Sequence, residues 1–130
     1  MYRYTINTAK EGFYNITENV KDAVRKSGIK SGICTVYCPH TTAGITINEG
    51  ADPDVVRDLL FALNKTYPDR TEFRHCEGNS AAHLKSSVMG CSASIIVDEG
   101  HLVLGTWQAV YFTEFDGPRT RKFYVQITGE

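Results

Sequence analysis

The sequence predicts one α+β domain, richer in strand than in helix and built mainly from antiparallel neighbours. Three observations carry that expectation. Strand-like alternation marks both ends of the chain, and about three segments combine helical apolar spacing with recognisable caps. The third is the length of 130 residues, which suits a single domain spanning 1–130.

Tyr2, Tyr4 and Ile6 alternate with Arg3, Thr5 and Asn7, the period of a half-buried strand. Asn15 or Thr17 then caps a helix in which Ile16, Val20, Ala23 and Val24 recur at helical spacing, and Gly28 stops it. Residues 33–38 are rich in β-formers, and 44–48 is the expected partner strand. The connection 39–43 therefore places His40 at a strand end. Asp52, Pro53 and Asp54 mark the clearest helix start: a cap, a proline suited to the first turn, and a carboxylate at the positive end of the dipole. Val56, Leu59, Leu60 and Leu63 give this helix an apolar stripe that ends before Pro68, and 67–78 reads as loop. A short third helix opens at Asn79 or Ser80 and ends at Gly90. It sets Ala81, Leu84 and Val88 on one face, and Ser80, His83 and Ser87 on another. Segments 94–97 and 102–104 flank a hairpin turn, and 108–113 and 122–128 complete the sheet. Trp107 is expected to be a core aromatic beside Gly105.

A composition of 42% hydrophobic and 22% charged residues is that of an ordinary globular protein. Fourteen basic residues against fifteen acidic ones leave a formal charge of −1. That balance argues against nucleic acid or an anionic membrane as partner, while allowing a local basic pocket. The start of the chain lacks the apolar core of a signal peptide and no run is long enough to span a bilayer, so a cytoplasmic location is expected. The four cysteines are then expected to be reduced. They contain no Cys-x-x-Cys pair, which speaks against a structural zinc knuckle. Cys34 and Cys38 share one face of a strand pattern and read as small buried hydrophobes.

His40, His75 and His83 lie in polar, turn-rich surroundings and can converge from two segments. Three readings stand. They are three imidazole ligands of a divalent metal ion (zinc or magnesium) with a position open for water or substrate. They form an anion site with Lys85, Arg119 or Arg121 and the amino end of the third helix. Or each is satisfied by local hydrogen bonds. Glu49 and Glu77 are nearby carboxylates that can ligate metal or take a proton. In residues 114–119 (EFDGPR), Arg119 can bind an anionic group while Glu114 or Asp116 orients it or holds a cation. The alternative is a charged hairpin loop. Phosphate-loop, dinucleotide and nucleophile-elbow motifs are absent.

Four ordered stretches, 39–49 (PHTTAGITINE), 79–87 (NSAAHLKSS), 104–108 (LGTWQ) and 114–119 (EFDGPR), together resemble the YjbQ family across essentially the whole chain. Ile96 departs from the proline that members often carry there. The resemblance implies β/β/α layers, a homotrimer and a secondary thiamine-phosphate synthase activity, which joins hydroxymethylpyrimidine diphosphate to thiazole phosphate and expels pyrophosphate. It places the family's motif positions on His40, Thr41, Thr42, Asn48, Glu49, His75, Glu77, Asn79, His83, Lys85, Ser86, Trp107, Gln108, Glu114, Asp116 and Arg119. The function this implies is an enzyme acting on a small phosphorylated metabolite; the alternatives are a non-catalytic metal- or phosphometabolite-binding protein and a metal-dependent hydrolase. A cluster of Glu49, Glu77 and Asp116 can then hold a divalent cation against a departing diphosphate.

Overall fold

The computed structural model describes residues 1–130. Its elements run β1 (Tyr2–Asn7), β2 (Gly12–Asn15), α1 (Thr17–Ser27), β3 (Gly32–Tyr37), β4 (Ala43–Glu49), α2 (Pro53–Thr66), α3 (Ser80–Met89), β5 (Ser92–Asp98), β6 (His101–Leu102), β7 (Gln108–Glu114) and β8 (Thr120–Gly129). Two antiparallel sheets result. One has five strands in the order β1-β8-β3-β5-β6, the other three in the order β2-β7-β4. The α+β expectation holds, with three helices. No helix is long and apolar enough to cross a membrane.

The hydrophobic core lies between the sheets. Val36, Phe123, Val125 and Ile127 from the larger sheet meet Ile45, Val110 and Phe112 from the smaller, and α1 with the residue before it adds Ile16, Val20, Ala23 and Val24. Strand β7 is buried along nearly its whole length because both its faces are covered. Val110 and Phe112 point into the main core, while Phe115, just past the strand, joins Leu63 of α2 and Ala82 of α3 in a second cluster. Helices α2 and α3 thus cover the smaller sheet on the side away from the larger one. Cys34 and Cys38 are buried in the core as unpaired thiols, and burial pushes both up to about 11.

Local chemistry explains most boundaries. Asp52 Oδ1 accepts from the Asp54 N–H at 2.9 Å ahead of Pro53, as its position promises. Asn15 Oδ1 accepts from both the N–H and the hydroxyl of Thr17, fixing the start of α1. Gly28 ends that helix in the left-handed region at φ 70°. Asn79 occupies the cap position of α3, but its side chain does not cap. It donates to Asp116 Oδ2 at 2.8 Å instead.

Several expectations fail. Strand β4 does not pair with β3; it pairs with β7 in the other sheet, because β5 and β8 already occupy both edges of β3. The expected apolar face of α3 is reversed: Leu84 and Val88 are exposed, while Ala82 and Lys85 face inward beside Ala81. Trp107 is no core residue, being 64% exposed. Strand β2 has no counterpart among the expected elements; its four residues carry no clean alternation.

Candidate functional site

The connection from β3 to β4, the loop before α3 and the β7–β8 turn meet in one open cleft of about 400 Å³. Pro39, His40, Thr41, Thr42, His75, Glu77, Asn79, His83, Arg119 and Arg121 line it, and none of these side chains is apolar apart from the proline ring. The three histidines singled out from the sequence therefore open on a common space. His75 and His83 stand edge to face, with ring centroids 5.3 Å apart. Glu77 Oε1 lies 4.0 Å from His75 Nε2.

The floor of the cleft is a buried ion pair. Arg121 sits in the inward-facing phase of β8, in register with Phe123, Val125 and Ile127, and reaches Glu114 at the end of β7. Its Nε donates to Glu114 Oε1 at 2.7 Å, and its Nη2 to Glu114 Oε2 at 2.6 Å and to Thr42 Oγ1 at 2.7 Å. Thr8 and the backbone N–H groups of Phe115 and Asp116 fill the remaining positions on the carboxylate. Burial pulls the Glu114 carboxyl upward, but the hydrogen bonds from Arg121, Thr8 and the backbone outweigh it and hold the group below its ordinary range. Glu114 is therefore no cation ligand, because its lone pairs are already engaged. It anchors Arg121.

Arg119 is held in parallel fashion, with Nε on the Asp116 carbonyl at 2.8 Å and Nη2 on Asp116 Oδ2 at 3.1 Å. Burial again acts to raise the Asp116 carboxyl, and the Asn79 and Arg119 hydrogen bonds overcome it, keeping the group low. Each guanidinium keeps Nη1 free of any partner within the chain. His40 Nε2 accepts the Lys122 N–H at 2.9 Å, which assigns the proton of the neutral ring to Nδ1. Burial, followed by the positive charge of Arg121, lowers the pKa of His40.

No group of three or more His, Cys, Asp or Glu side chains is placed to hold an ion, and one nitrogen of His40 is committed to backbone.

Other expected members lie elsewhere. Lys85 is buried on the far side of α3, where its Nζ bonds Asn64 Oδ1 and lies 4.0 Å from Glu11 Oε2. It lines a separate depression with Lys10, Asp69 and Asp116. Ser86 donates to the Ala43 carbonyl at 2.7 Å and fastens α3 to β4. Asn48 and Glu49 end β4, seven residues and about 20 Å from its start beside Thr42. Their side chains bond local backbone. The expected cluster of Glu49, Glu77 and Asp116 therefore does not form within one chain. Gln108 closes its own turn by accepting from the Gly105 N–H, and beside Trp107 it lines another depression. In the sequence Arg121 is one cation among several. A single charged residue in the buried phase of an alternating strand is the signal for its special place.

A family model described as UPF0047 protein YjbQ-like matches residues 2–130. UPF0047 protein YugU of Bacillus subtilis is 53% identical over 94% of this chain and 93% of its own length. UPF0047 protein MJ1081 of Methanocaldococcus jannaschii is 50% identical over 100% and 95%. Among solved structures, a YjbQ/UPF0047 protein from Clostridium acetobutylicum superposes with a TM-score of 0.96 at 54% identity, covering 98% of this chain and 100% of that one. The conserved hypothetical protein TT1486 from Thermus thermophilus gives 0.91 at 43% identity, with 98% and 100% covered.

Proposed function

The chain belongs to the YjbQ-like UPF0047 family, and we propose that this member binds a small phosphorylated metabolite in the His40–His75–His83 cleft and acts on it as an enzyme. One observation carries the reading: two guanidinium groups and three imidazoles line a cleft that has no aliphatic or aromatic hydrocarbon side chain apart from the proline ring. The formal charge there is not positive, since Glu77, Asp116 and Glu114 outnumber the two arginines. Recognition thus rests on fixed donors rather than on bulk field. A phosphate accepts from the free Nη1 groups of Arg119 and Arg121, from the Thr41 hydroxyl, from His40 Nδ1–H and from the His83 imidazole. Preorganised donors of this kind stabilise negative charge as it develops. That is what departure of pyrophosphate requires when the methylene–oxygen bond of hydroxymethylpyrimidine diphosphate breaks and the thiazole nitrogen bonds the same carbon. The thiamine-phosphate synthase reaction is the one the family resemblance implies for this cleft. We place the protein in the cytoplasm and take its working form to be a homotrimer, a reading supported by unpaired cysteines and exposed apolar side chains respectively.

Calorimetric titration with inorganic pyrophosphate tests the site. Arg119→Ala and His83→Ala should each weaken binding about tenfold to a hundredfold, the value of one charge-assisted hydrogen bond. Unchanged affinity in both variants would sink the assignment. So would one zinc per purified chain that disappears with His83→Ala, which would make the cluster a metal centre.

A further inference from the structure

The strand pair β4–β7 meets the polar cleft at one end and a separate depression at the other. This depression holds about 320 Å³ and lies where β7 begins and β4 has ended, beside the start of α1. Trp107 lines it and is 64% exposed, its backbone pinned by the Gly50 N–H, which donates to its carbonyl at 2.8 Å. Two amide side chains line it as well, and both are anchored through oxygen. Asn15 Oδ1 accepts from the N–H and the hydroxyl of Thr17 at 3.0 and 2.6 Å, and Gln108 Oε1 accepts from the Gly105 N–H at 2.8 Å. A backbone N–H only donates, so these bonds fix which end of each amide is oxygen. Both NH2 groups are left without a partner in the chain, as are the Thr106 hydroxyl and the indole N–H. Glu18 is the one charged side chain in the lining, and its ion-pair partner is Lys21 on the same helix at 3.8 Å.

We infer that this depression binds a neutral sugar ring, stacked on the Trp107 indole with its hydroxyls on Asn15, Gln108, Thr106 and Glu18. A pyranose has the matching chemistry. One face is rich in C–H groups, which an aromatic face covers, and its rim of hydroxyls both accepts and donates. The Glu18 carboxylate takes the protons of neighbouring hydroxyls. The amide donors, already held by their oxygens, meet hydroxyl oxygens without first losing freedom of their own. Charge excludes the other classes of small ligand. An anion finds no lysine, arginine or histidine in the lining and would be desolvated beside Glu18. A cation would pair with Glu18 and the indole face, but would leave the amide and hydroxyl donors turned toward positive charge.

Trp107 is the sole tryptophan of the chain, so its fluorescence reports this site and no other. The full chain is titrated with glucose, galactose and mannose, with inorganic phosphate and choline as charged controls. At least one sugar should shift the emission and shield the indole from acrylamide, and neither control should. Asn15→Asp and Gln108→Glu each keep the anchoring oxygen and replace the free NH2 group by a second oxygen. Each should therefore weaken that sugar about tenfold, with the emission of the unliganded protein unchanged. No response to any of the three sugars overturns the inference, as does a choline response of equal strength or undiminished affinity in either amide variant. A second copy of the chain lying over the indole overturns it too, and shows itself as acrylamide quenching of the unliganded protein that rises on dilution.

Discussion

Glu114 is the residue on which the site turns, and its environment could not be read from its neighbours in sequence. Residues 114–119 read as a charged hairpin loop, yet Glu114 is fully buried at the end of β7 and only residues 115–119 are loop. The partner that explains it, Arg121, comes from the next strand, and Thr8 comes from the far end of the chain. Removing one member of such a pair leaves a buried charge unmatched, so Arg121→Ala should destabilise the fold by about 3–5 kcal/mol at neutral pH. The pH dependence is set by the sign of the shift. A carboxyl held below its unfolded value of about 4.3 contributes stability above that pH and loses it as pH falls through the folded value. Urea unfolding of the two proteins at several pH values checks this. The gap should be widest near pH 7 and should narrow below about pH 4 as Glu114 protonates. A gap that stays constant down to about pH 3 would show that the guanidinium is a packing element only.

Helix α3 shows what element-level reasoning captures and what it misses. Its ends were legible from Asn79 and Gly90, and so was the placing of His83 on a polar face. Its buried side was not. Leu84 and Val88 outrank Ala82 and Lys85 in hydrophobicity, but Ala82 packs with Leu63 and Phe115 and Lys85 reaches Asn64 of α2, while Ser86 seats the helix close against β4. Gly44 measures that closeness, because a Cβ there would stand 2.6 Å from the Gly90 carbonyl oxygen, the same oxygen that accepts the Ile45 N–H. Gly44→Ala should cost about 1–3 kcal/mol, read by thermal or urea unfolding. It should also weaken pyrophosphate binding, since α3 carries His83 and Asn79. Stability lost with affinity intact would mean that the cleft does not depend on the seating of α3. The pairing of β4 was missed for a related reason. Adjacency in sequence favours a hairpin with β3, and nothing local reveals that both edges of β3 are taken by strands from the second half of the chain.

At the scale of the whole molecule, fold class and helix count were legible, because each depends on patterns within one segment; no local pattern joins His40 to His75 and His83, so their convergence was an expectation only. The two-sheet division and the ion pair were not, since they depend on distant partners. Large apolar side chains remain on the surface, among them Phe61 and Trp107 at 64% exposed, Ile96 at 59% and Val103 at 53%. Such side chains suit burial between subunits. For the proposed trimer, sedimentation equilibrium should give three times the 14.5 kDa chain mass, and a monomer at micromolar concentration would remove the trimer from the proposal.

Strand β8 lies between β1 and β3, which makes it an interior strand of the larger sheet. During synthesis, the first strand emerges long before the one it must pair with. A ribosome-bound chain stalled before Thr120 therefore holds β1 unjoined to the β3-β5-β6 part of its sheet, and should be cut readily by protease at sites that the complete fold shields. A truncation before Thr120 removes the strand that joins β1 to β3, and with it the Arg121 floor of the cleft.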